Sequence, residues 1–224
     1  YAVIESDTDV AAAAIALPGK SVLKTARWGY DGKGQRMVSS GAGIAAAWKT
    51  LHSAPAVVEE YVPFRGEISV VGVRGVDGAI ALYEPVANQH ANHILDVSIY
   101  PAPVSTSTRN AAHEIARAVL EGLQVIGILC VEMFELHNGS LVVNELAPRP
   151  HNSGHLTIDA HVCSQFEQQV RAVCGLPLGS TAAHAPAAAM ANLLGELWSK
   201  GEPDWTAALA TPGLQLHLYG KVAP

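Results

Sequence analysis

Glu132 and Glu145 are the two acids whose spacing most directly suggests chemistry. They lie in two strand-like runs, Ile128 to Glu135 and Ser140 to Glu145, that flank Asn138-Gly139, a strong hairpin signal. With a two-residue type I′ turn there, Glu132 falls directly opposite Glu145 on the same face of the ladder. Like charges placed opposite one another destabilise a sheet, so the arrangement asks for a cation between them. Hard carboxylate oxygens suit magnesium, which typically takes one or two carboxylates and completes its shell with phosphate and water. The alternatives are a solvated face with a Lys or Arg nearby, or a one-residue bulge that separates the acids.

A second candidate is the loop Gly29-Tyr30-Asp31-Gly32-Lys33-Gly34-Gln35, which follows a short strand containing Lys24. Glycines let backbone amides approach phosphate oxygens, and Lys24 and Lys33 supply point charges. The glycine spacing and the terminal Lys-Ser/Thr pair of a Walker A loop are absent, and no clear helix follows as in a dinucleotide fingerprint. An ordinary hairpin turn is the competing explanation.

The third candidate is the run Asn144-Glu145-Leu146-Ala147-Pro148-Arg149-Pro150-His151-Asn152-Ser153-Gly154-His155, poor in apolar residues. Prolines on both sides of Arg149 stiffen the backbone, and an extended chain projects Arg149 and His151 to the same side. The planar Arg fork matches a small oxyanion such as bicarbonate, carboxylate or phosphate. A surface loop whose polar residues only cap neighbouring elements is the alternative. Asn88 and His90, expected in a loop, Glu67, opening a strand, and Lys221 are weaker candidates, and the three cysteines read as core filler.

The elements that must carry these residues are legible in outline. A helix is expected over Thr8 to Leu17, a strand over Ser21 to Lys24, a helix over Ile44 to Leu51 and a strand over Ala56 to Tyr61. Hairpin strands Glu67 to Arg74 and Ala79 to Pro85 flank Asp77-Gly78, another two-residue turn signal. Ile115, Val119, Leu123 and Ile126 mark the core-facing stripe of a helix over Ser105 to Leu123. Ser164 and Glu167 form a capping box for a helix that ends before Gly175 and Pro177. Ser180 to Ala189 reads as a connector and Leu214 to Lys221 as a strand. Hairpins and helices without regular βαβ alternation give an α+β class.

Composition narrows the function. A chain of 224 residues with 49% hydrophobic content can bury a sizeable core, and a formal net charge of -6 with no basic cluster argues against nucleic acid as a partner. Cys130, Cys163 and Cys174 form no CxxC pair and are odd in number, which fits a reducing cytoplasm better than a disulfide framework or a zinc site. No apolar run approaches the roughly 20 residues that span a bilayer, and no basic-then-apolar leader opens the chain, so neither membrane nor targeting is expected. Opening on Tyr1 and stopping at Pro224, the sequence reads as part of a longer polypeptide.

Taken together, Leu23-Lys24-Thr25, the GYDGKGQ loop, Glu59 and Glu60 shortly before Glu67, and the NELAPRPHNSGH run resemble the N5-carboxyaminoimidazole ribonucleotide synthetases, a family of ATP-grasp carboxylate-amine ligases. The resemblance extends through SQFEQQVRAVCGLPLG from Ser164, Asn192-Leu193-Leu194-Gly195 and Leu218-Tyr219-Gly220-Lys221, and PRPHNSGH is its most specific part. It implies an ATP-grasp fold of two subdomains with antiparallel or mixed sheets clamping ATP. Residues 1–62 would be the small lid subdomain, 63–180 the large catalytic subdomain and 181–224 a carboxy-terminal segment packed on the latter. The implied reaction makes carboxyphosphate from ATP and bicarbonate, then transfers the carboxyl group to the amine of 5-aminoimidazole ribonucleotide in purine biosynthesis. A homodimer is implied as well.

By the same resemblance, Lys24 and Gly29, Tyr30, Asp31, Gly32, Lys33, Gly34 and Gln35 would hold the ATP phosphates. Glu59, Glu60, Tyr61, Val62, Glu67 and His90 would address the rest of the nucleotide. Glu132 and Glu145, with Asn144 adjacent, would hold Mg2+, or Mn2+ in its place. Arg149, His151 and Lys221 would grip bicarbonate and carboxyphosphate, with Tyr30 and Asp31 facing the imidazole nucleotide. Thr25-Ala26-Arg27-Trp28 departs from the family, which has two consecutive basic residues and a small one there, so Trp28 is expected to alter lid closure. The family's amino-terminal Rossmann-like domain and basic tail are not in this sequence, so the chain as given is expected to bind ATP without completing the reaction. The competing readings are another ATP-grasp ligase, of the purine transformylase or biotin carboxylase type, and a non-catalytic ATP-binding module.

Overall fold

Ser6 starts the first helix, its hydroxyl accepting the Asp9 amide at 3.3 Å while the Asp9 carboxylate accepts the Glu5 amide and the Ser6 hydroxyl. In a computed structural model, residues 1–27, 29 and 33–220 are described. They divide into two compact units, one of Tyr1–Pro63 with Ala91–Ile94 and one of Phe64–His90 with Leu95–Pro224.

The first unit holds β1 (Ala2–Ile4), α1 (Asp7–Ala16), β2 (Ser21–Thr25), β3 (Gln35–Val38), α2 (Ile44–Thr50) and β4 (Ala56–Glu60). Its strands form one antiparallel sheet in the order β1-β4-β2-β3. Alternation along β2 and β4 sends Leu23, Ala56 and Val58 inward, where Ile4, Val10, Ile44 and Trp48 meet them. The opposite parity leaves Lys24 and Glu59 half-buried on the other side of the sheet.

The second unit holds β5 (Gly66–Arg74), β6 (Ile80–Leu82), β7 (Val86–Ala91) and β8 (Ile94–Tyr100) except their adjoining end residues Ala91 and Ile94, α3 (Thr106–Gly122), β9 (Gly127–Glu135) and β10 (Leu141–Ala147). α4 (Thr157–Ala160), α5 (Gln165–Val173), β11 (Ala188–Ala191) and α6 (Thr206–Leu209) follow. The sheet order is β10-β9-β5-β7-β8-β11, with β6 also on β5, and the pairings β10-β9, β9-β5, β5-β6, β5-β7 and β8-β11 are antiparallel. Strand β5 is buried on both faces. Ile68 and Val70 meet Leu129, Val131 and Met133 beneath Ala112, Ala116 and Leu120 of α3. Val71 and Val73 meet Ile128, Cys130 and Ala147 beside Ala172 of α5. Gly72 admits α3, because a Cβ there would lie 2.6 Å from Leu120 and 2.7 Å from Leu82.

Several expectations are corrected here. Asn88 and His90 sit on strand β7, not in a loop. Small residues, Ala112 and Ala116, form the deeply buried stripe of α3 together with Leu120, whereas Leu123 and Ile126 are exposed. The connector ends in β11, and residues 214–220 form no strand. The Asp77-Gly78 turn closes over three residues: Gly75 N–H donates to the Ala79 carbonyl at 2.9 Å and Gly78 N–H to the Gly75 carbonyl at 3.1 Å. Asp77 Oδ1 accepts the Ala79 amide and Gly78 takes φ 83°, which together select a type I turn with a glycine bulge.

Candidate active site

The same turn chemistry governs the hairpin that carries the acid pair. Leu136 N–H donates to the Ser140 carbonyl and Gly139 N–H to the Leu136 carbonyl, both at 2.9 Å, and Asn138 Oδ1 accepts the Ser140 amide at 3.0 Å. The loop is therefore His137-Asn138-Gly139, one residue longer than expected, and Leu141 pairs with Glu135 and Val143 with Met133. A β-bulge between Val143 and Glu145 then leaves Asn144 as the extra residue and shifts the register back, so that Glu145 does pair with Glu132. The expected pairing is present by a different route: the bulge brings the acids together instead of separating them.

Glu132 and Glu145 lie on the sheet face that also carries Cys130 and Ala147, the face covered further along by α5. The Nε2 atom of His151 is 2.9 Å from Glu132 Oε1. Burial alone would raise the Glu132 carboxyl, but the hydrogen bond from His151 and the charges of His151, His90 and Arg149 hold it below its ordinary value. Burial works against a charged His151, yet its hydrogen bonds with Cys130 and Glu132 leave the imidazole well above the usual histidine range. On β7, His90 Nδ1 is paired with Glu67, whose hydrogen bond raises the His90 imidazole despite partial burial. The exposed Arg149 donates to the Pro150 carbonyl at 3.0 Å. These residues thus join carboxylates suited to a hard cation with cationic groups suited to an oxyanion. Cys130, Glu132 and His151 also offer ligand atoms within 4.8 Å of one another, a softer donor set that includes one of the thiols expected to be core filler.

His151 is held from behind. Its Nδ1 lies 2.9 Å from Ser153 Oγ and 3.3 Å from the Ser153 amide nitrogen. The fully buried Gln165 grips the His151 backbone at both ends, accepting its N–H at 2.9 Å and donating to its carbonyl at 2.7 Å. Behind Ser153 stand Ser69, Asn88 and Ser98, linked by hydrogen bonds of 2.8 to 2.9 Å. Sequence reasoning does not find Ser69, Ser98 or Gln165 as part of a site. The available signal is Ser69 itself, a lone hydroxyl inside the apolar run Ile68 to Val73.

In the first unit, Lys24 Nζ is 2.7 Å from Glu59 Oε2, so the expected phosphate-binding cation is engaged by an acid of the adjacent strand. Thr25 N–H donates to the Gly34 carbonyl at 2.9 Å, and Gly34 has φ 75° beside the Thr25 side chain. Gln35 opens β3 opposite Lys24. The Tyr61 amide donates to the Lys20 carbonyl, and the Lys20 ammonium sits 3.6 Å from the Tyr61 ring centroid. Glu60 is exposed and Val62 half-buried. Trp28, Tyr30, Asp31, Gly32 and Lys221, all named from the sequence, lie outside the described residues. No helix among the described residues is long and apolar enough to cross a membrane.

Comparison with known proteins matches this geometry to a family. A family model described as the ATP-grasp domain matches residues 1–166, and one described as the phosphoribosylaminoimidazole carboxylase C-terminal domain matches residues 188–224. The chain is 42% identical over 221 residues to an N5-carboxyaminoimidazole ribonucleotide synthase of Bacillus subtilis, covering 99% of this chain and 57% of that protein. The crystal structure of an N5-carboxyaminoimidazole ribonucleotide synthetase from Thermus thermophilus superposes with a TM-score of 0.88 at 37% identity, covering all of this chain and 59% of that one. An Aspergillus clavatus N5-carboxyaminoimidazole synthase in complex with ADP and 5-aminoimidazole ribonucleotide superposes with a TM-score of 0.76 at 29% identity, covering 86% of this chain and 52% of that one. The chain thus spans between half and two thirds of the length of these relatives.

Proposed function

The chain belongs to the ATP-grasp family, and from that premise we propose that the protein is an ATP-dependent ligase that carboxylates 5-aminoimidazole ribonucleotide. A bicarbonate oxygen attacks the γ-phosphorus of ATP and ADP leaves, giving carboxyphosphate. The amine nitrogen of the ribonucleotide then takes the carboxyl group, or the carbon dioxide released from it, loses a proton, and phosphate departs. The product is N5-carboxyaminoimidazole ribonucleotide, an intermediate of de novo purine synthesis.

The observation that carries this reading is the facing pair Glu132 and Glu145, with His151 bonded to Glu132 and the charge of Arg149 acting on the same carboxylate. Glu132 and Glu145, with Asn144 at the bulge, would hold Mg2+ or Mn2+, whose role when bound is to neutralise phosphate charge. Arg149 and His151, joined by Lys221, would orient bicarbonate and bind the charge that develops on it. Lys24 and the stretch from Gly29 to Gln35 would take the ATP phosphates, which requires Lys24 to exchange Glu59 for phosphate. Glu59 to Val62, Glu67 and His90 would address adenine and ribose, and Tyr30 and Asp31 the imidazole nucleotide. Three free cysteines suit a reducing cytoplasm, where we place the protein as a homodimer.

The test is ATP turnover by the full-length protein with each ligand withheld in turn. Turnover should require both bicarbonate and 5-aminoimidazole ribonucleotide, with labelled bicarbonate carbon appearing in an acid-labile product. ATP hydrolysis indifferent to both ligands sinks the assignment.

A further inference from the structure

We propose that Ser98, Asn88 and Ser69 are positioning residues, which act through Ser153 to hold the His151 ring against Glu132. The chain of contacts crosses three strands. Ser98 Oγ on β8 donates to Asn88 Oδ1 at 2.8 Å, Asn88 Nδ2 on β7 donates to Ser69 Oγ at 2.9 Å, and Ser69 Oγ on β5 is 2.8 Å from Ser153 Oγ. Ser153 Oγ in turn lies 2.9 Å from His151 Nδ1, and His151 Nε2 lies 2.9 Å from Glu132 Oε1. The imidazole is therefore held at both ring nitrogens, and a turn about its Cβ–Cγ bond breaks both contacts.

Burial explains why such a chain needs a purpose. Ser69, Ser98 and Ser153 are fully buried and Asn88 is 7% exposed, and each buried polar group costs stability unless it is bonded. A packed apolar set of similar volume would serve the sheet as well or better. The hydroxyl of the buried Ser21 of the first unit, by contrast, has no hydrogen-bond partner among the described residues. Here four bonded side chains run without a gap to the imidazole beside the acid pair, and Ser69 is itself the cross-strand partner of Glu132. Fully satisfied networks of this kind fix one geometry, and a reacting group displaced by about 1 Å can lose about a hundredfold in rate.

This inference rests on the proposed role of His151 in gripping bicarbonate, and the experiment separates the two. Ser69→Ala, Ser98→Ala, His151→Gln and the double variants Ser69→Ala/His151→Gln and Ser98→Ala/His151→Gln are assayed in the full-length protein, with thermal unfolding recorded for each. Ser69→Ala should raise the KM for bicarbonate about tenfold, Ser98→Ala about threefold in the same direction, with the KM for ATP unchanged. In the His151→Gln background either alteration should add less than about twofold. Equal effects in both backgrounds, or a parallel rise in all KM values with a fall in Tm, overturn the proposal. Should Ser69→Ala not fold, Ser98→Ala decides by the same cycle. A crystal structure of whichever variant folds gives a reading free of substrate: a displaced His151 ring supports the relay and an unmoved ring refutes it. Bicarbonate independence of the wild type would instead count against the functional reading alone.

Discussion

Glu145 stands directly opposite Glu132 because Asn144 is bulged out of β10. Without the bulge, the register set by the three-residue turn would bring Asn144 opposite Glu132 and send Glu145 to the face covered by α3. One added residue in the turn and one in the strand cancel. Bulges re-aim side chains in this way next to functional sites.

Like charges so placed should make the metal-free protein less stable than a variant lacking one of them. Glu145→Gln is expected to gain about 0.5 kcal/mol, or about 1–2 °C in Tm, without magnesium. Magnesium should raise the Tm of the wild type and leave that of Glu145→Gln unmoved. Calorimetry with and without the ion checks both statements, and a lower metal-free Tm for the variant contradicts the like-charge argument.

The His90–Glu67 pair carries a pH signature. The His90 imidazole is raised above its ordinary value of 6.5 by Glu67, so the folded state binds the proton more tightly than the unfolded state. Its contribution is complete below pH 6.5 and fades as pH rises through the raised folded value. Urea unfolding of the wild type and of Glu67→Gln should differ by about 1–2 kcal/mol at pH 6 and by clearly less at pH 9. A gap that widens with pH reverses the sign and refutes the linkage.

How far the molecule can be read from its sequence follows from range. Local chemistry marks Ser164 as a helix cap and the two Asx-Gly pairs as turns; the pairing of Glu132 with Glu145 is also anticipated, but from a turn one residue too short, an error that the Asn144 bulge cancels. The turn length escapes such reading because the Asp77 and Asn138 side chains bond two residues ahead and select a three-residue loop. β7 escapes it because VANQHA has no apolar alternation, and β11 because its partner β8 lies nearly a hundred residues earlier. The relay from Ser98 to His151 is invisible for the same reason: its members are isolated polar residues until the sheet brings them together.

Glu135 offers a test of stability apart from the site. Its side chain is buried, and its partner Arg65, 2.6 Å away, is half exposed. Glu135 raises the Arg65 guanidinium still further by hydrogen bonding. Arg65→Met leaves the buried Glu135 side chain without its partner and should lower the denaturation midpoint, while Arg65→Met/Glu135→Leu should recover most of that loss. Denaturant titration of the three proteins decides it. A double variant no better than the single one would mean that the ion pair, not the stranded charge, sets the energy.

Gly154 is where packing and the site meet. A Cβ at this position would lie 2.5 Å from Gln165 Oε1 and 2.8 Å from Gln165 Cδ, the amide that holds both backbone polar groups of His151. Gln165 is fully buried and cannot retreat to solvent, so Gly154→Ala must either compress that contact or push the amide off His151. Overpacking of this kind typically costs about 1–3 kcal/mol. Gly122, at the end of α3, has open space where a Cβ would project, with nothing within 4 Å, so Gly122→Ala should be neutral or stabilise by up to about 1 kcal/mol. The two glycine variants should therefore differ in opposite directions in Tm. Only Gly154→Ala should also raise the KM for bicarbonate, because only there does the added methyl reach the support of His151. Equal behaviour of the two would leave Gln165 without the clamping role that its hydrogen bonds suggest.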